Sequence, residues 1–232
     1  MQNYCVRLES PVSKSYRCQR AANSVDLDIH KKSIHELSIE VDLDSPFNVG
    51  VIIGSSGSGK TTLAKAIFGN DCFVTAIDEE KAIIDQFPDD YDYDKCSAML
   101  NGIGLNSIPC WLRPIKTLSN GQRARAECAL LMCSNNRIIA IDEWTSVVDR
   151  TVAKAMSHCV QKFSRKNNKQ IILLSCHYDV LSWLRPDWVI DCNTQTFNKY
   201  NSEYWEKKKT TLDLKLNVSD ETHGDFLASI II

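Results

Sequence analysis

Apolar and polar positions divide the chain into a few buried segments separated by polar turns. Val49 to Ile53 is a largely β-branched apolar run, the pattern of a buried strand. A glycine-rich turn follows, and Leu63, Ala66 and Ile67 then take helical spacing, so the pattern predicts strand, loop and helix in that order. A second apolar run, "RIIAIDEW" from Arg137 to Trp144, reads as another strand and ends in two carboxylates, Asp142 and Glu143. "ILLSCHYDV", Ile172 to Val180, is a further strand ending in a histidine, His177. "LSNGQRARAECALLMC" predicts a helix capped by Ser119 or Asn120, with Ala124, Cys128, Leu131 and Met132 on its apolar face. In "AIIDQFP" an apolar run stops at Phe87-Pro88, and one reading of Asp85 or Gln86 is simply a strand end before that break. Near the end of the chain, "TTLDLKLNV" alternates like a strand and "FLASIII" is apolar. No heptad run, internal repeat or membrane-spanning apolar stretch is visible.

Composition refines this picture. With 232 residues, 44% hydrophobic and 24% charged, one globular domain with a sizeable core is expected. The 27 basic and 29 acidic side chains nearly cancel, so no global field selects nucleic acid or anionic lipid. The amino terminus lacks a basic start followed by an apolar core, and a cytoplasmic location is expected. The ten cysteines contain no C-x-x-C spacing, and buried reduced thiols are expected rather than disulfides or zinc ligands.

Candidate chemistry starts at the glycine-rich turn. Gly54, Gly57, Gly59, Lys60 and Thr61 satisfy G-x-x-x-x-G-K-[ST] between a strand and a helix. Backbone N–H groups from Gly54, Ser55, Ser56, Gly57, Ser58 and Gly59 through Lys60, Thr61 and Thr62 would curl around a phosphate chain, at the positive end of the helix. Lys60 would place a point charge on the phosphates, and Thr61 would offer its hydroxyl to Mg²⁺. Asp142 is placed to order that Mg²⁺ or its water shell, and Glu143 to polarise an attacking water. Adjacent strand residues point to opposite sides, so the two carboxylates are expected to have different roles.

Against these motifs, Leu118-Ser119-Asn120-Gly121-Gln122 resembles the LSGGQ signature of ABC-type ATPases, with Asn120 in place of one glycine. "SVVD", Ser146 to Asp149, is similar to that family's D-loop, His177 to its switch histidine, and Gln86 to its glutamine loop. The resemblance runs in the family's order from about Phe47 to Cys192. It implies an α/β P-loop fold with a mainly parallel sheet flanked by helices, an N-terminal antiparallel β part and a short helical subdomain. It also implies ATP and Mg²⁺ as ligands and a head-to-tail homodimer, each ATP held between the phosphate loop of one copy and Ser119, Asn120, Gly121 and Gln122 of the other. On that resemblance Glu143 is the general base, His177 contacts the γ-phosphate, Gln86 senses Mg²⁺ and Asp149 reaches across the dimer. The adenine-stacking aromatic is not assigned, since Tyr16 lies far upstream.

The expected domains are residues 1–198 as the ATPase, with its helical subdomain at about 87–130, and 199–232 as a C-terminal extension. "DEWTSVVDRTVAKAMS" and "SCHYDVLSWLRPDWVID" look like small ABC-type modules of phages and mobile elements that are often followed by a GNAT-type acetyltransferase. No R-x-x-G-x-G/A loop follows Lys199, so that activity is not expected. The stretch from Gln86 to Leu118 is short for the helical subdomain that docks on membrane subunits. The leading expectation is therefore an ATP-driven dimer switch acting on a separate protein or nucleic-acid partner. The alternatives are a transporter subunit and a nucleotide-dependent interaction module without turnover.

Overall fold

The computed structural model describes residues 2–10, 13, 15–26, 33–73 and 77–205. Strands β1 (Gln2–Ser10) and β2 (Ser33–Val41) pair antiparallel, with helix α1 (Tyr16–Asn23) between them in the chain. There follow β3 (Val49–Ile53), α2 (Lys60–Phe68), α3 (Tyr93–Gly102), α4 (Ile108–Trp111), α5 (Asn120–Cys133), β4 (Ile138–Ile141), α6 (Arg150–Asn167), β5 (Gln170–Ser175), α7 (Val180–Leu184), β6 (Trp188–Asp191) and β7 (Thr196–Lys199). The five-stranded sheet has the order β4-β5-β3-β6-β7; all neighbours are parallel except β6 and β7.

Period-two alternation in these short strands separates two cores. Val49, Val51, Ile53, Ile171 and Leu173 face the side covered by α3, α5 and α6, where Leu100, Ala129, Met156 and Val160 are buried. Ile52, Ile172, Leu174 and Ile190 face the side covered by α2 and the β1–β2 pair, against Leu63, Val6, Leu37 and Ile39. With both faces covered, β3 is buried at every position, and each such aliphatic side chain stabilises the fold by about 1.5–3 kcal/mol relative to exposure. This is why the strands read as continuous apolar runs.

One close approach locks β3 to β6. A Cβ on Gly50 would lie 2.0 Å from the Trp188 ring. Phe68 stacks on that ring at 5.9 Å and Phe47 meets its edge at 5.2 Å, so the indole has nowhere to retreat. Gly50→Ala is expected to lower stability by about 1–3 kcal/mol through overpacking, read as a lower denaturation midpoint at unchanged slope.

Three local expectations need correction. Ala66 is exposed, because α2 turns Leu63 and Ala64 into the core. In α5 the fully buried positions are Ala126, Cys128, Ala129, Leu130, Met132 and Cys133, whereas Ala124 and Leu131 are only partly covered. Ile84–Gln86 forms a 3-10 turn rather than a strand end. At the other end, Lys199 donates to Asp42 Oδ2 at 2.6 Å and the indole N–H of Trp205 to the Pro186 carbonyl at 3.0 Å, which ties Lys199 to Trp205 onto the domain. "TTLDLKLNV" and "FLASIII" lie outside the described residues.

Candidate nucleotide-binding site

Because β3, β5 and β4 are parallel neighbours in that spatial order, their carboxyl ends lie along one edge of the sheet. The loops that follow them carry the phosphate-loop motif, His177 and the acidic pair, with the His177 loop in the middle. Ligands of open α/β sheets bind at such an edge.

Gly57 and Gly59 have φ of 78° and 88°, a left-handed region that strains other residues, and this coil opens the amino end of α2. Among the described residues no backbone acceptor meets the N–H groups of Gly57, Gly59, Lys60, Thr61 or Thr62. Five unmet donors at a helix amino end fit a phosphate chain. The buried Lys60 ammonium donates to the carbonyls of Gly54 at 2.9 Å and Ser55 at 2.8 Å. Ser55 departs from expectation: its N–H and hydroxyl donate to Asn193 Oδ1 at 3.1 and 3.0 Å, so it shapes the loop and has neither donor left over. The Ser58 N–H is likewise turned inward, onto the Ser55 carbonyl at 3.2 Å.

Thr61 donates its hydroxyl to Asp142 Oδ2 at 2.6 Å. Residues 81 positions apart thus meet across β5, and the pair offers hard oxygen atoms only, which fits Mg²⁺. Asp142 and Glu143 lie beyond the end of β4, so strand alternation does not separate them; a φ of 51° at Glu143 does. Thr145 follows at φ 64°. A left-handed non-glycine residue costs about 1–2 kcal/mol, and neighbouring bonds hold this one in place. Asp142 Oδ1 accepts the Glu143 N–H at 2.8 Å, and Ser146 donates its N–H and hydroxyl to the Glu143 carbonyl at 3.1 and 2.9 Å. The buried Trp144 donates its N–H to the Leu174 carbonyl at 2.7 Å. Strain of this kind collects where function fixes geometry, and it leaves Glu143 exposed at the sheet edge.

Ser175 connects this turn to His177. Its buried hydroxyl donates to the Trp144 carbonyl at 3.1 Å and accepts the His177 N–H at 3.1 Å. Arg150, at the start of α6, donates to Asp179 at 2.9 Å and lies over the Trp183 ring, so the segment after the acidic pair is also held to the His177 loop.

Ser119 caps α5 in a reciprocal box: its Oγ accepts the Gln122 N–H at 3.3 Å and Gln122 Oε1 accepts the Ser119 N–H at 3.1 Å. Gln122 also donates to Cys110 Sγ at 3.3 Å, so its side chain builds the cap instead of reaching outward. The Ser119 hydroxyl proton and the exposed Asn120 remain at the surface with the amino end of α5. Asp149, expected to reach across a dimer, caps its own helix: Oδ1 accepts the Val152 N–H at 2.9 Å, while Val147 beside it is exposed.

The Gln86 amide is engaged by its own neighbours. Its Oε1 accepts the Asp78 N–H at 2.8 Å, and its Nε2 donates to the carbonyls of Asp78 and Lys81 at 2.9 and 3.1 Å. Both ends of the amide therefore close the 78–82 loop, and among the described residues no hydrogen bond joins it to Thr61 or Asp142. Asn193 and Ser175, which do support the site, carry no motif; only their positions at strand ends signal them.

Six cysteines, including Cys128, Cys133 and Cys192, are buried and free. Burial pushes Cys133 and Cys192 up to about 11, so the Cys192 thiol stays protonated even with Lys60 near it.

No protein-family model matches the chain. It is 24% identical over 180 residues to ABC transporter F family member 4 of Dictyostelium discoideum, covering 67% of this chain and 15% of that protein. It is 26% identical over 176 residues to the achromobactin transport ATP-binding protein CbrD of Dickeya dadantii, covering 56% of this chain and 65% of that protein. The chain thus spans less than two thirds of either relative. The dimeric post-hydrolysis structure of the ATP-binding cassette MJ0796 bound to ADP and Pi superposes with a TM-score of 0.54 at 16% identity, over 72% of this chain and 93% of that one. Relatives and structural neighbours alike are nucleotide-binding domains of ABC ATPases; the chain has the fold of those neighbours, is similar in sequence to those relatives, and carries the phosphate-loop, signature-like and acidic motifs in the order given above.

Proposed function

We propose that the domain binds and hydrolyses ATP in a head-to-tail dimer and uses the ATP-dependent closing of that dimer to act on a separate partner in the cytoplasm. The observation that carries this reading is the junction of the phosphate loop and the acidic turn: unmet N–H donors beside a Thr61 hydroxyl bonded to Asp142 at 2.6 Å. Thr61 and Asp142 would hold Mg²⁺, which when bound neutralises phosphate charge. Lys60 would leave the Gly54 and Ser55 carbonyls for the phosphates, and Glu143 would take the proton of the attacking water while His177 orients it. The amino end of α5, with Ser119, Asn120 and Gly121, would supply N–H groups and a hydroxyl to the γ-phosphate of the other copy.

Dimer structures among the neighbours support the pairing, and the brevity of α3 and α4 favours a switch over a transporter subunit. The transporter reading is favoured instead by relatives named as transport ATP-binding proteins. Among the described residues no helix is long and apolar enough to cross a membrane, so membrane subunits would be separate chains.

Gly121→Asp tests the shared site. A carboxylate in the first turn suits the helix itself but repels a phosphate from the other copy. Turnover is expected to fall about 10- to 100-fold, the loss of one or two charge-assisted contacts, with ATP binding by the isolated chain intact. Wild-type turnover in that variant would refute the reading.

A further inference from the structure

The Ser55 contacts lead to a network that no motif covers. Asp191, the last residue of β6, accepts the N–H groups of Asn193 and Thr194 on Oδ1 at 2.9 and 3.3 Å, which shapes the turn into β7. Its Oδ2 accepts the hydroxyl of Tyr178 at 2.9 Å. Asn193 Nδ2 donates to the same hydroxyl at 3.1 Å, while Asn193 Oδ1 receives both donors of Ser55. The amide can face only one way: reversing it would set an NH₂ against the Ser55 N–H and a carbonyl against a hydroxyl whose proton is already given to Asp191.

This chain of bonds joins two loops. Ser55 belongs to the phosphate loop, and its carbonyl holds the Lys60 ammonium at 2.8 Å. Tyr178 directly follows His177. The two loops meet at their roots, where the Gly54 N–H donates to the Ser175 carbonyl at 3.2 Å; beyond that bond, among the described residues, none runs directly between 55–59 and 176–179, and the side chains of Asn193 and Tyr178 supply the further hydrogen-bonded connection. From the acidic side, Ser175 already holds the His177 backbone to the Trp144 carbonyl. The His177 loop is thereby tied on both sides.

We propose that Asn193 and Tyr178 are positioning residues: Asn193 sets the first turn of the phosphate loop, and Tyr178 transmits that setting to His177. The proposal rests on the ATPase reading above.

Position and magnitude favour this role over a purely structural one. Tyr178 is 48% exposed, so removing its hydroxyl leaves no buried orphan. A single exposed hydrogen bond changes a folding equilibrium by only about two- to tenfold, and β6–β7 pairing and Asp191 hold the turn without it. Loops that carry catalytic groups are far more sensitive, because displacements of about 1 Å cost about 100-fold in rate. Burial and the Asp191 carboxylate raise the Tyr178 hydroxyl above its ordinary value, which keeps it a donor at neutral pH.

The test uses the full chain with Tyr178→Phe and Asn193→Ala, reading binding of a fluorescent ATP analogue, kcat and KM for ATP, denaturation midpoints, and the ring NMR signals of His177 with those of His158 as an internal control. Asn193→Ala is expected to weaken nucleotide binding about fivefold, one hydrogen bond's worth, and to lower kcat. Tyr178→Phe should keep binding within about twofold, lower kcat about 5- to 10-fold and shift the His177 ring signals while those of His158 stay put. Both variants should unfold close to the wild type. Unchanged His177 signals in Tyr178→Phe, unchanged binding in Asn193→Ala, or activity losses matched by a lower denaturation midpoint would each overturn the proposal. The binding and NMR readings do not need turnover. A wild-type chain that fails to hydrolyse ATP would sink the ATPase reading, whereas an active wild type matched by Tyr178→Phe sinks only the positioning role.

Discussion

Lys60→Ala is expected to hydrolyse no ATP above background and to bind nucleotide roughly 10- to 150-fold more weakly than the wild type, the equivalent of a lost charge-assisted contact of about 1.5–3 kcal/mol. The ammonium sits between the Gly54 and Ser55 carbonyls, in a loop where the N–H groups of Gly57, Gly59, Lys60, Thr61 and Thr62 meet no backbone acceptor among the described residues. It is the only cation of the phosphate-loop motif, and neutral N–H groups alone do not balance a polyphosphate. Lys60→Arg is not expected to restore function, because the buried loop holds a compact point charge on a flexible stem and a planar fork does not match that geometry. Calorimetric titration with ATP and a phosphate-release assay read both effects. Undiminished binding in Lys60→Ala would place the nucleotide elsewhere.

Glu143→Gln separates chemistry from binding. The substitution keeps size and removes the proposed base, so turnover is expected to drop by about 10²–10⁴-fold with nucleotide affinity unchanged. The neighbouring carboxylate plays a different part, since Asp142 is engaged by Thr61 on one oxygen and by the Glu143 N–H on the other. The Glu143 side chain is exposed and its backbone strained, the arrangement expected of a group held ready at the cost of local stability. Single-turnover phosphate release measures the drop; a fall of less than tenfold would assign the base elsewhere.

What could be read from the chain was whatever is local along it. The strand at Val49–Ile53 and its glycine-lysine-threonine turn are contiguous, as are the acidic end of β4 and the capped start of α5, and their physics is contained in a few neighbouring residues. What a line of text does not give is which polar side chains compete for the same partners, and that only the folded chain decides. Gln86 looks available in a line of text, yet the 78–82 loop folds back and takes both ends of its amide. Ser55 loses its donors to Asn193, 138 positions away, because β6 lies beside β3. Asp149 and Gln122 are absorbed by helix caps that satisfy otherwise orphaned N–H groups. Ala66 is exposed because α2 buries Leu63 and Ala64, a choice of face that apolar spacing over one helical turn does not define.

In the proposed dimer one chain carries two halves of different sites: a phosphate loop it uses itself and an α5 amino end it lends to another copy. The most direct measurement is the solution mass of Glu143→Gln by light scattering, with and without ATP and Mg²⁺. A shared site requires a monomer without nucleotide and a stable dimer, twice the mass of the chain, once ATP is added. A protein that stays monomeric with ATP bound, while the wild type still turns ATP over, would contradict it.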